Sequence, residues 1–363
     1  MIVEQFVEQA LRDRASDIHL VQGLTPRYRV NGEIREMCSN CLTAEDCLTA
    51  AMELAEGDFR RAETVGEADL ALTIAGVRCR INLFRQRGGW SAAIRLLNDH
   101  IPDLGELGLP KAAAEFPAYG QGLVLISGET GSGKSTTLAA VLNRINHSER
   151  KHILTLEDPI EYVYTPDKCV INQREIRRDT ASFAAGLRAA LREDPDVILV
   201  GEMRDLETIE TALTAAETGH LVFGTVHTNS AADSIDRIVD VFPAERQQQI
   251  RLQLSMTLRA VLSQQLLPKV GGGRVVCCEV MKVDGAIRNL IREGKTPQIV
   301  NAIQTTGNMG NILMDRALQS LLNAGTISKE TWQAALRDPS QAGRNGPSQP
   351  AAGAEPVPGF RRI

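Results

Sequence analysis

Residues Gly128–Ser135 read GETGSGKS, and this stretch decides the fold class. It matches the whole phosphate-binding loop pattern G-x-x-x-x-G-K-[ST]. The apolar run Leu123–Ser127 precedes it, and the helix-forming run Thr136–Ile145 follows it. A strand, a glycine-rich turn and a helix in this order direct backbone N–H groups and the positive end of a helix toward one phosphate. The stretch therefore predicts a nucleotide-binding α/β domain.

Each part of this loop has an expected role. The glycines let successive N–H groups turn toward a phosphate without a Cβ in the way. Lys134 is expected to reach the β- and γ-phosphates, and the Ser135 hydroxyl is expected to ligate Mg²⁺. A chance glycine-rich turn is the weaker alternative, because strand, lysine, serine and helix are all in place. The predicted nucleotide-binding residues are Gly128, Glu129, Thr130, Gly131, Ser132, Gly133, Lys134, Ser135 and Thr136.

Two groups of acidic residues follow predicted strands further along the chain. Glu157, Asp158 and Glu161 come at and after the end of one strand, and Glu202 lies at the carboxyl end of another, Val197–Gly201. Ligands of open α/β sheets bind at this end of the strands. One acid can hold the Mg²⁺ shell while another orients the attacking water. Surface loop charges and helix caps are the alternative interpretation.

Two histidines flank a third predicted strand, Leu221–Thr225. His220 lies just before it, and His227 follows it. A lone histidine is more often structural than catalytic. Their placement beside a strand of a nucleotide-binding sheet favours a role for His227 as a γ-phosphate sensor, whose hydrogen bond differs between ATP and ADP.

Arginines are concentrated in residues 78–95, RCRINLFRQRGGWSAAIR. Alternation along a strand places Arg78 and Arg80 on one face, and Ile81 and Leu83 on the other. Such charges usually lie on a solvated strand face. Guanidinium groups also stabilise phosphoryl groups during transfer. The pattern by itself leaves both interpretations open.

The chain is predicted to contain two domains. Residues 1–98 combine a helix with two hairpins and indicate a small α+β domain, and residues 99–111 contain prolines and glycines typical of a linker. Residues 112–336 show strand–loop–helix units, which indicate a parallel sheet covered on both faces, followed by C-terminal helices. Residues 337–363 are rich in Pro, Gly, Ser and Ala and are predicted to be a disordered tail.

The composition limits the classes of partner and compartment. The 363 residues are 43% hydrophobic and 23% charged, with a net charge of −5, so binding of nucleic acid through phosphate contacts is not expected. No apolar run approaches the length of a membrane-spanning helix. The seven cysteines are scattered, and the lone CxxC at Cys38 and Cys41 favours reduced thiols over a zinc site. A cytoplasmic protein is the expectation.

Several long stretches resemble the secretion and pilus ATPase superfamily. They are ASDIHL at residues 15–20, GETGSGKS, TLEDPIE at 155–161, TASFAAGLRAALREDPDVILVGEMRD at 180–205 and TGHLVFGTVHTNSAADSIDRI at 218–238. AIRNLI at Ala286–Ile291 and the following REGKTPQI resemble the retraction, or twitching-motility, branch. Periodicity alone interprets AIRNLI as an amphipathic helix that packs in the core. The resemblance covers residues 1–327.

The resemblance implies a subunit with a PAS-like N-terminal domain and a RecA-like P-loop ATPase domain, assembled into a homohexamer with ATP bound between the domains. Lys134 and Ser135 then hold the phosphates and Mg²⁺. Glu202 is the Walker B acid and holds Mg²⁺ directly or through water. Glu161 is the general base, and His227 is the sensor of the His box. Arg80 and Arg95 lie near the γ-phosphate. The implied catalytic residues are Glu161, Glu202, His227, Arg80 and Arg95.

For function, the resemblance implies a motor that hydrolyses ATP to drive type IV pilus retraction and twitching motility. Its expected partners are an inner-membrane pilus platform protein and a paralogous accessory ATPase, and its expected location is the cytoplasm, peripherally at the inner membrane. An extension or secretion ATPase is disfavoured because the tetracysteine insert and the extra N-terminal region of those proteins are missing. A nucleotide-dependent switch with little turnover and a DNA translocase are the competing interpretations from other classes of protein.

Overall fold

The computed structural model describes residues 2–30, 32–55, 57, 59–97 and 100–336. Its contacts divide the chain into two compact units. The first contains the chain up to Ile101 together with Pro159–Thr165, and the second contains Pro102–Asp158 and the chain from Pro166 onward. Residue 98, the predicted end of the first domain, residue 99, the predicted start of the linker, and the predicted tail, 337–363, lie outside the described residues. Within the described ranges no helix has the length and apolar character needed to cross a membrane.

The first unit contains an antiparallel sheet with the spatial order β3-β2-β1-β6-β5-β4. Its helices pack their apolar residues against one face of this sheet, and this contact forms the core of the unit. The strands are β1 (Asp17–Val21), β2 (Arg27–Val30), β3 (Glu33–Glu36), β4 (Glu67–Ile74), β5 (Val77–Gln86) and β6 (Gly89–Leu96). The helices are α1 (Ile2–Arg12), α2 (Ala44–Ala55) and α3 (Phe59–Val65).

The predicted alternation in the arginine-rich strand is confirmed by β5. Ile81 and Leu83 are fully buried, whereas Arg80 on the opposite face is exposed. The hairpin between β4 and β5 also forms where the sequence predicts it. Ala75 and Gly76 both have positive φ angles, 50° and 78°, as a two-residue type I′ turn requires. Arg80 therefore lies on the solvent-facing side of the sheet.

The segment Pro159–Thr165 belongs to the first unit by its contacts, whereas the sequence predicts that it is part of the ATPase domain, 112–336. Arg78 Nε donates a hydrogen bond to the Ile160 carbonyl oxygen at 3.1 Å. Pro159 has no N–H and cannot extend the ladder of the preceding strand. The chain therefore leaves the second sheet at this proline, and no periodicity in the sequence marks the excursion.

The second unit contains a sheet with the order β13-β12-β7-β11-β10-β8-β9. All neighbouring pairs in it are parallel except β12 with β13. The strands are β7 (Gly122–Ser127), β8 (His152–Glu157), β9 (Val170–Glu175), β10 (Val197–Val200), β11 (Leu221–Val226), β12 (Leu258–Pro268) and β13 (Arg274–Lys282).

In the described part of the second unit, five helices lie between strands β7 and β12 along the chain, and four more follow β13. They are α4 (Lys134–Ser148), α5 (Phe183–Ala190), α6 (Leu206–Glu217), α7 (Ala231–Asp240), α8 (Ala244–Thr257), α9 (Gly285–Arg292), α10 (Ile299–Thr305), α11 (Met314–Asn323) and α12 (Lys329–Ala335). Short 3₁₀ helices span Lys111–Ala118, Thr296–Gln298 and Gly307–Met309.

Local sequence explains why these elements begin where they do. Strands β7, β10 and β11 are apolar runs in which every residue is buried, as expected for parallel strands covered on both faces. Helix α6 begins after Asp205 and α7 after Ser230, and each side chain accepts a hydrogen bond from the first turn of its helix. Because β7, β8, β10 and β11 are parallel, their carboxyl ends lie at the same edge of the sheet.

The helix over AIRNLI forms as the periodicity predicts. In α9 Ile287 and Ile291 are fully buried, and Leu290 is partly buried against the same core. Asp284 caps the start of this helix by accepting a hydrogen bond from Ile287 N at 2.8 Å. The packing interpretation of this motif is therefore correct, and it leaves the polar residues of the helix available for another role.

Candidate nucleotide-binding site

The phosphate-binding loop connects β7 to α4 and depends on glycine at two positions. Gly128 has φ 143°, and a Cβ there would lie 2.3 Å from the Gln264 carbonyl oxygen and 2.6 Å from Ser132 Oγ. Gly133 precedes α4 in the left-handed conformation, with φ 91° and ψ 17°. A side chain at either position would strain the loop or displace the neighbouring strand. These positions give a compact loop that ends at a helix N-terminus.

Lys134 is the first residue of the 15-residue helix α4, and this helix has no side-chain N-cap. The Lys134 Nζ atom donates hydrogen bonds to the carbonyl oxygens of Gly128, at 2.7 Å, and Glu129, at 2.9 Å. The ammonium group thus lies across the loop that a phosphate would enter. Its charge and the N-terminus of α4 both favour an anion there. The arrangement fits a nucleotide phosphate.

Gln264 on β12 holds the loop from behind, and the motifs in the sequence did not identify it. Its Nε2 donates a hydrogen bond to the Ser132 carbonyl oxygen at 2.7 Å. Within the described part of the chain, Gln264 Oε1 and Ser132 Oγ are buried and have no hydrogen-bond partner. Unpaired buried polar atoms are costly and are typical of ligand sites. The signal for this residue is the pair Gln264–Gln265 inside an apolar run.

A cavity of about 660 Å³ lies beside the loop. The loop, the end of β12, and α12 with the residue that follows it supply most of its walls. Its lining residues are Glu129, Thr130, Gly131, Ser132, Asn229, Gln264, Gln265, Leu266, Leu267, Pro268, Glu330, Thr331, Ala334, Ala335 and Leu336. Ser132 and Gln264 therefore have space beside them rather than packed protein.

Glu202 and His227 meet at the carboxyl ends of β10 and β11. His227 Nε2 lies 2.8 Å from Glu202 Oε1, and Arg204 Nε bonds to the same carboxylate oxygen. An ionised carboxylate can only accept, so the Nε2 atom of His227 carries the hydrogen. Glu202 is 22% exposed, which leaves part of its carboxylate open to a ligand. The structure brings the predicted Walker B acid and the predicted sensor into direct contact.

His227 is held neutral by its surroundings. Partial burial, and then the nearby charge of Lys134, lower the pKa of His227 below its ordinary value of 6.5, and the Glu202 carboxylate opposes this shift. A neutral imidazole can donate through Nε2 and accept through Nδ1 at the same time. Such a group can distinguish ligands that differ in charge at one position. Lys134, Glu202 and His227 therefore form one electrostatically linked set.

The acids around the end of β8 have partners of their own. Glu157 Oε1 accepts hydrogen bonds from Thr155 Oγ1 at 2.6 Å and from Gln173 Nε2 at 3.3 Å. Arg177 Nη2 lies 3.2 Å from Asp158 Oδ2. These contacts fix the turn that follows β8. The sequence pattern assigns Glu157 no role separate from its acidic neighbours, and the structure places two hydrogen-bond donors on its carboxylate.

Arg80 and Arg95 lie in the first unit, on the exposed face of its sheet. They are directly opposite each other on β5 and β6. Arg95 Nε donates to Asp17 Oδ1 at 2.9 Å, while its side chain stays 66% exposed. Partial burial raises the pKa of Asp17, but hydrogen bonds from Ser16 and Arg95 outweigh it and hold the pKa below its ordinary value. Asp17 therefore stays ionised and fixes Arg95 beside a second positive charge.

Glu161 also lies in the first unit, in the segment Pro159–Thr165, where it is partly buried. Lys134, Ser135, Glu202 and His227 lie in the second unit. The structure thus assembles one part of the predicted site within a single unit. The roles of Glu161, Arg80 and Arg95 stay predictions, and so does the role of the exposed Ser135 as a metal ligand.

Comparison with known protein families identifies the chain. The family model described as type II/IV secretion system protein matches residues 1–272. The chain belongs to this family. This family agrees with the resemblance seen in the sequence of the phosphate-binding loop and of the stretches that contain Glu202 and His227.

Individual relatives within the type II/IV secretion system family extend the match to the C-terminal helices. The chain is 48% identical to the type IV pilus retraction ATPase PilT of Pseudomonas aeruginosa, over 91% of this chain and 96% of the relative. It is 47% identical to a twitching motility protein of Neisseria gonorrhoeae, over 84% of this chain and 83% of that protein.

A solved structure of the pilus retraction motor PilT with bound ADP has a similar fold. The TM-score is 0.89 at 46% identity, over 94% of this chain and 99% of that chain. The fold class is therefore the predicted one, with a small α+β PAS-like domain before a RecA-like P-loop domain. Nucleotide binding in that relative agrees with the phosphate-binding loop described here.

Proposed function

We propose that this protein is an ATPase motor that hydrolyses ATP to drive retraction of a type IV pilus. The observation that carries the proposal is the contact between His227 and Glu202 at 2.8 Å beside a complete phosphate-binding loop. This site occurs in a chain that is 48% identical to a pilus retraction ATPase over 91% of its length. The loop supplies nucleotide binding, and the paired carboxylate and imidazole supply chemistry that a binding protein without turnover does not need.

Mg²⁺ fits the oxygen atoms available beside the loop. Ser135 exposes its hydroxyl group in the first turn of α4, and Glu202 keeps part of its carboxylate accessible. Hydroxyl, carboxylate and phosphate oxygens are the ligands that Mg²⁺ prefers. Bound there, the ion would neutralise charge on the β- and γ-phosphates. Ser135 and Glu202, the latter directly or through water, are the residues we propose to hold it.

The residues of the chain then divide the reaction between them. The loop N–H groups and Lys134 bind and orient the phosphates, since positioning and electrostatic stabilisation together supply nearly all of the catalysis of phosphoryl transfer. Glu161 is proposed to accept the proton of the attacking water. The single N–H of neutral His227, which is directed at Glu202 here, is proposed to donate to the γ-phosphate when ATP is bound and to return to Glu202 when that phosphate is lost after hydrolysis. Each role follows from what the group can donate or accept.

We further propose a homohexamer that acts on an inner-membrane platform protein from the cytoplasm, with a paralogous accessory ATPase as an additional partner. The support is the similarity to pilus retraction and twitching motility proteins across most of the chain. The net charge of −5 gives no support for nucleic acid as a partner.

The proposed function is tested by deleting the gene and complementing the deletion with wild type or with Lys134→Ala. We expect hyperpiliated cells that do not twitch, with rescue by wild type only. Bald cells would instead identify an assembly motor. Normal piliation and normal twitching would contradict the proposal and favour a secretion ATPase. A phosphate-release assay on the purified protein, with and without DNA, separates a motor from a switch protein and from a DNA translocase.

Arg95 is expected to affect hydrolysis far more than ATP binding. Replacing Arg95 with alanine should lower kcat by about a hundredfold, because a guanidinium group near the γ-phosphate stabilises transition-state charge. The KM for ATP should change by less than about threefold, since the ground-state phosphates keep Lys134. The same result is expected for Arg80→Ala. Steady-state kinetics of phosphate release measures both constants.

A matched control for the arginine variants is Arg27→Ala. Arg27 is an arginine of the same sheet, paired with Glu36 at 3.3 Å. Its replacement removes one positive charge without touching Arg80 or Arg95. Unchanged kcat in both Arg80→Ala and Arg95→Ala would remove these residues from the catalytic site, and an equal loss in Arg27→Ala would attribute the effect to the stability of the sheet.

A further inference from the structure

A buried carboxylate outside the predicted set of site residues lies on β13. Glu279 is only 2% exposed. Its Oε1 accepts a hydrogen bond from Ala231 N at 2.8 Å, and its Oε2 accepts one from Met314 N at 3.3 Å. Ala231 is the first residue of α7, and Met314 is the first residue of α11. One carboxylate therefore joins the N-termini of two helices.

This arrangement makes use of the charge of Glu279. A buried carboxylate is costly unless hydrogen bonds and positive charge compensate it. Two helix N-termini supply both, because each adds N–H donors and the positive end of a helix dipole. Helix α11 follows Leu313, which provides no side-chain cap. Glu279 of strand β13 therefore caps the start of α11. A neutral amide of the same shape would turn one N–H₂ group toward a backbone N–H.

The start of α7 is also the end of the loop that carries His227. The loop is short and tied at several points. Thr228 Oγ1 lies 2.7 Å from Ser234 Oγ in α7, and Asn229 Nδ2 donates to Glu129 Oε1 of the phosphate-binding loop at 3.3 Å. Strand β11 fixes the other end of the loop. The position of His227 therefore depends on where α7 begins.

Glu279 lies in one row of paired residues across the sheet with Ser127, the residue that precedes the phosphate-binding loop. Ser263 on β12 is directly opposite Ser127 of β7 on one side and Glu279 on the other. Ser127 Oγ and Ser263 Oγ are both buried and lie 2.6 Å apart. Ser127 is the last residue before Gly128. A buried polar row thus links the base of the phosphate-binding loop to the residue that holds α7.

From these contacts we propose that Glu279 is a positioning residue that fixes the start of α7 and thereby holds His227 against Glu202. The proposal rests on the proposed ATPase function. Ala231 N and Met314 N, which donate to Glu279, are backbone groups at the N-termini of helices. Glu279 therefore acts through the loop that carries His227 and not on the nucleotide.

The test compares Glu279→Gln with wild type in steady-state ATP hydrolysis by the full chain. We expect kcat to fall by about tenfold, since small displacements of a catalytic group are costly, while the KM for ATP stays within about twofold. Glu279→Asp keeps the charge with a shorter reach, and we expect it to recover part of kcat. If Glu279→Gln fails to fold, Glu279→Asp carries the same comparison.

A control separates positioning from loss of stability. Val280 is a buried neighbour of Glu279 on β13, points to the opposite face of the strand and pairs with Leu262. Val280→Ala weakens the core without touching the start of α7, and we expect its kcat to equal that of wild type. An equal loss of kcat in Val280→Ala, or no loss in Glu279→Gln, would overturn the proposal.

A double-mutant cycle shows whether Glu279 acts through His227. If it does, Glu279→Gln should add almost nothing to the loss caused by His227→Ala. Two losses that multiply would show that Glu279 acts elsewhere and would overturn the proposal. A wild type that does not hydrolyse ATP would refute the proposed function itself. A His227→Ala variant as active as wild type would leave the ATPase function standing but overturn the role of Glu279.

Discussion

Replacing Lys134 with alanine is expected to reduce ATP hydrolysis by about a thousandfold and to weaken nucleotide binding. The Nζ atom of Lys134 lies across the loop on the carbonyl oxygens of Gly128 and Glu129. The substitution removes the positive charge of the loop and leaves these carbonyl oxygens facing the phosphates. A charge that stabilises a transferring phosphoryl group contributes on this scale. Phosphate release and titration with a fluorescent ADP analogue measure the two effects.

The control for this variant is Lys282→Ala. Lys282 is also a partly buried lysine of the second unit, and its Nζ lies 2.7 Å from Glu115. The substitution Lys282→Ala removes the same charge at a distance from the loop. Because a surface ion pair contributes little to stability, activity should stay within about twofold of wild type. Lys134→Ala with more than half of the wild-type activity would contradict the assignment of the loop.

Glu202→Gln is expected to separate binding from hydrolysis. Glutamine has the shape of glutamate and can still accept the hydrogen bond from His227 Nε2, now 2.8 Å from the carboxylate. Only the negative charge is lost, together with its proposed contribution to the shell of Mg²⁺. We expect kcat to fall by about a hundredfold, while affinity for ATP changes by less than about threefold. The variant should therefore accumulate with ATP bound.

Single-turnover hydrolysis and equilibrium binding measure these two quantities for Glu202→Gln. The matched control is Glu210→Gln, because Glu210 is a glutamate of α6 that pairs with Arg246 outside the site. We expect Glu210→Gln to retain normal turnover. If Glu202→Gln lost binding and hydrolysis equally, the residue would be a structural support of the loop, and if it lost neither, the Walker B assignment would be wrong.

The sequence predicts the central strands well for a physical reason. The apolar runs predict strands over Gly122–Ser127 and His152–Glu157, and β7 and β8 have these bounds. Strand β11 is one residue longer than the predicted Leu221–Thr225. Strands buried on both faces appear in the sequence as continuous apolar runs between polar loops. The sequence predicts the phosphate-binding loop equally well, since its glycines and its lysine have fixed positions relative to the strand and the helix.

Strand β12 was not predicted, and with it the role of Gln264 was missed. The strand begins at Leu258, directly after α8 ends at Thr257, so no glycine or proline separates the two elements. Its pairing with β7 on one side and with β13 on the other identifies Leu258–Pro268 as a strand. Tertiary pairing of this kind leaves no local signal in the sequence. Strand β9 was missed as well, because its exposed residues interrupt the apolar pattern.

The arrangement of the arginines also required the structure. The sequence places Arg80 on the exposed face but cannot show that Arg95 lies directly opposite it. Nor can it show that Asp17, far away in the chain, holds Arg95 at 2.9 Å. Cross-strand contacts depend on the register between strands, which alternation alone does not give. The contact between His227 and Glu202 was unpredicted for the same reason.

The position of β7 between β11 and β12 determines how the protein opens locally. Every residue of β7 is buried, and strands pair with it on both sides, whereas β9 lies at the border of the sheet. Amide hydrogen exchange should therefore be slowest in β7 and much faster in β9, since border strands separate first. The nucleotide loop is thus attached to the part of the domain that unfolds last. Local unfolding can therefore separate the border strands of the motor domain while the domain still binds ATP.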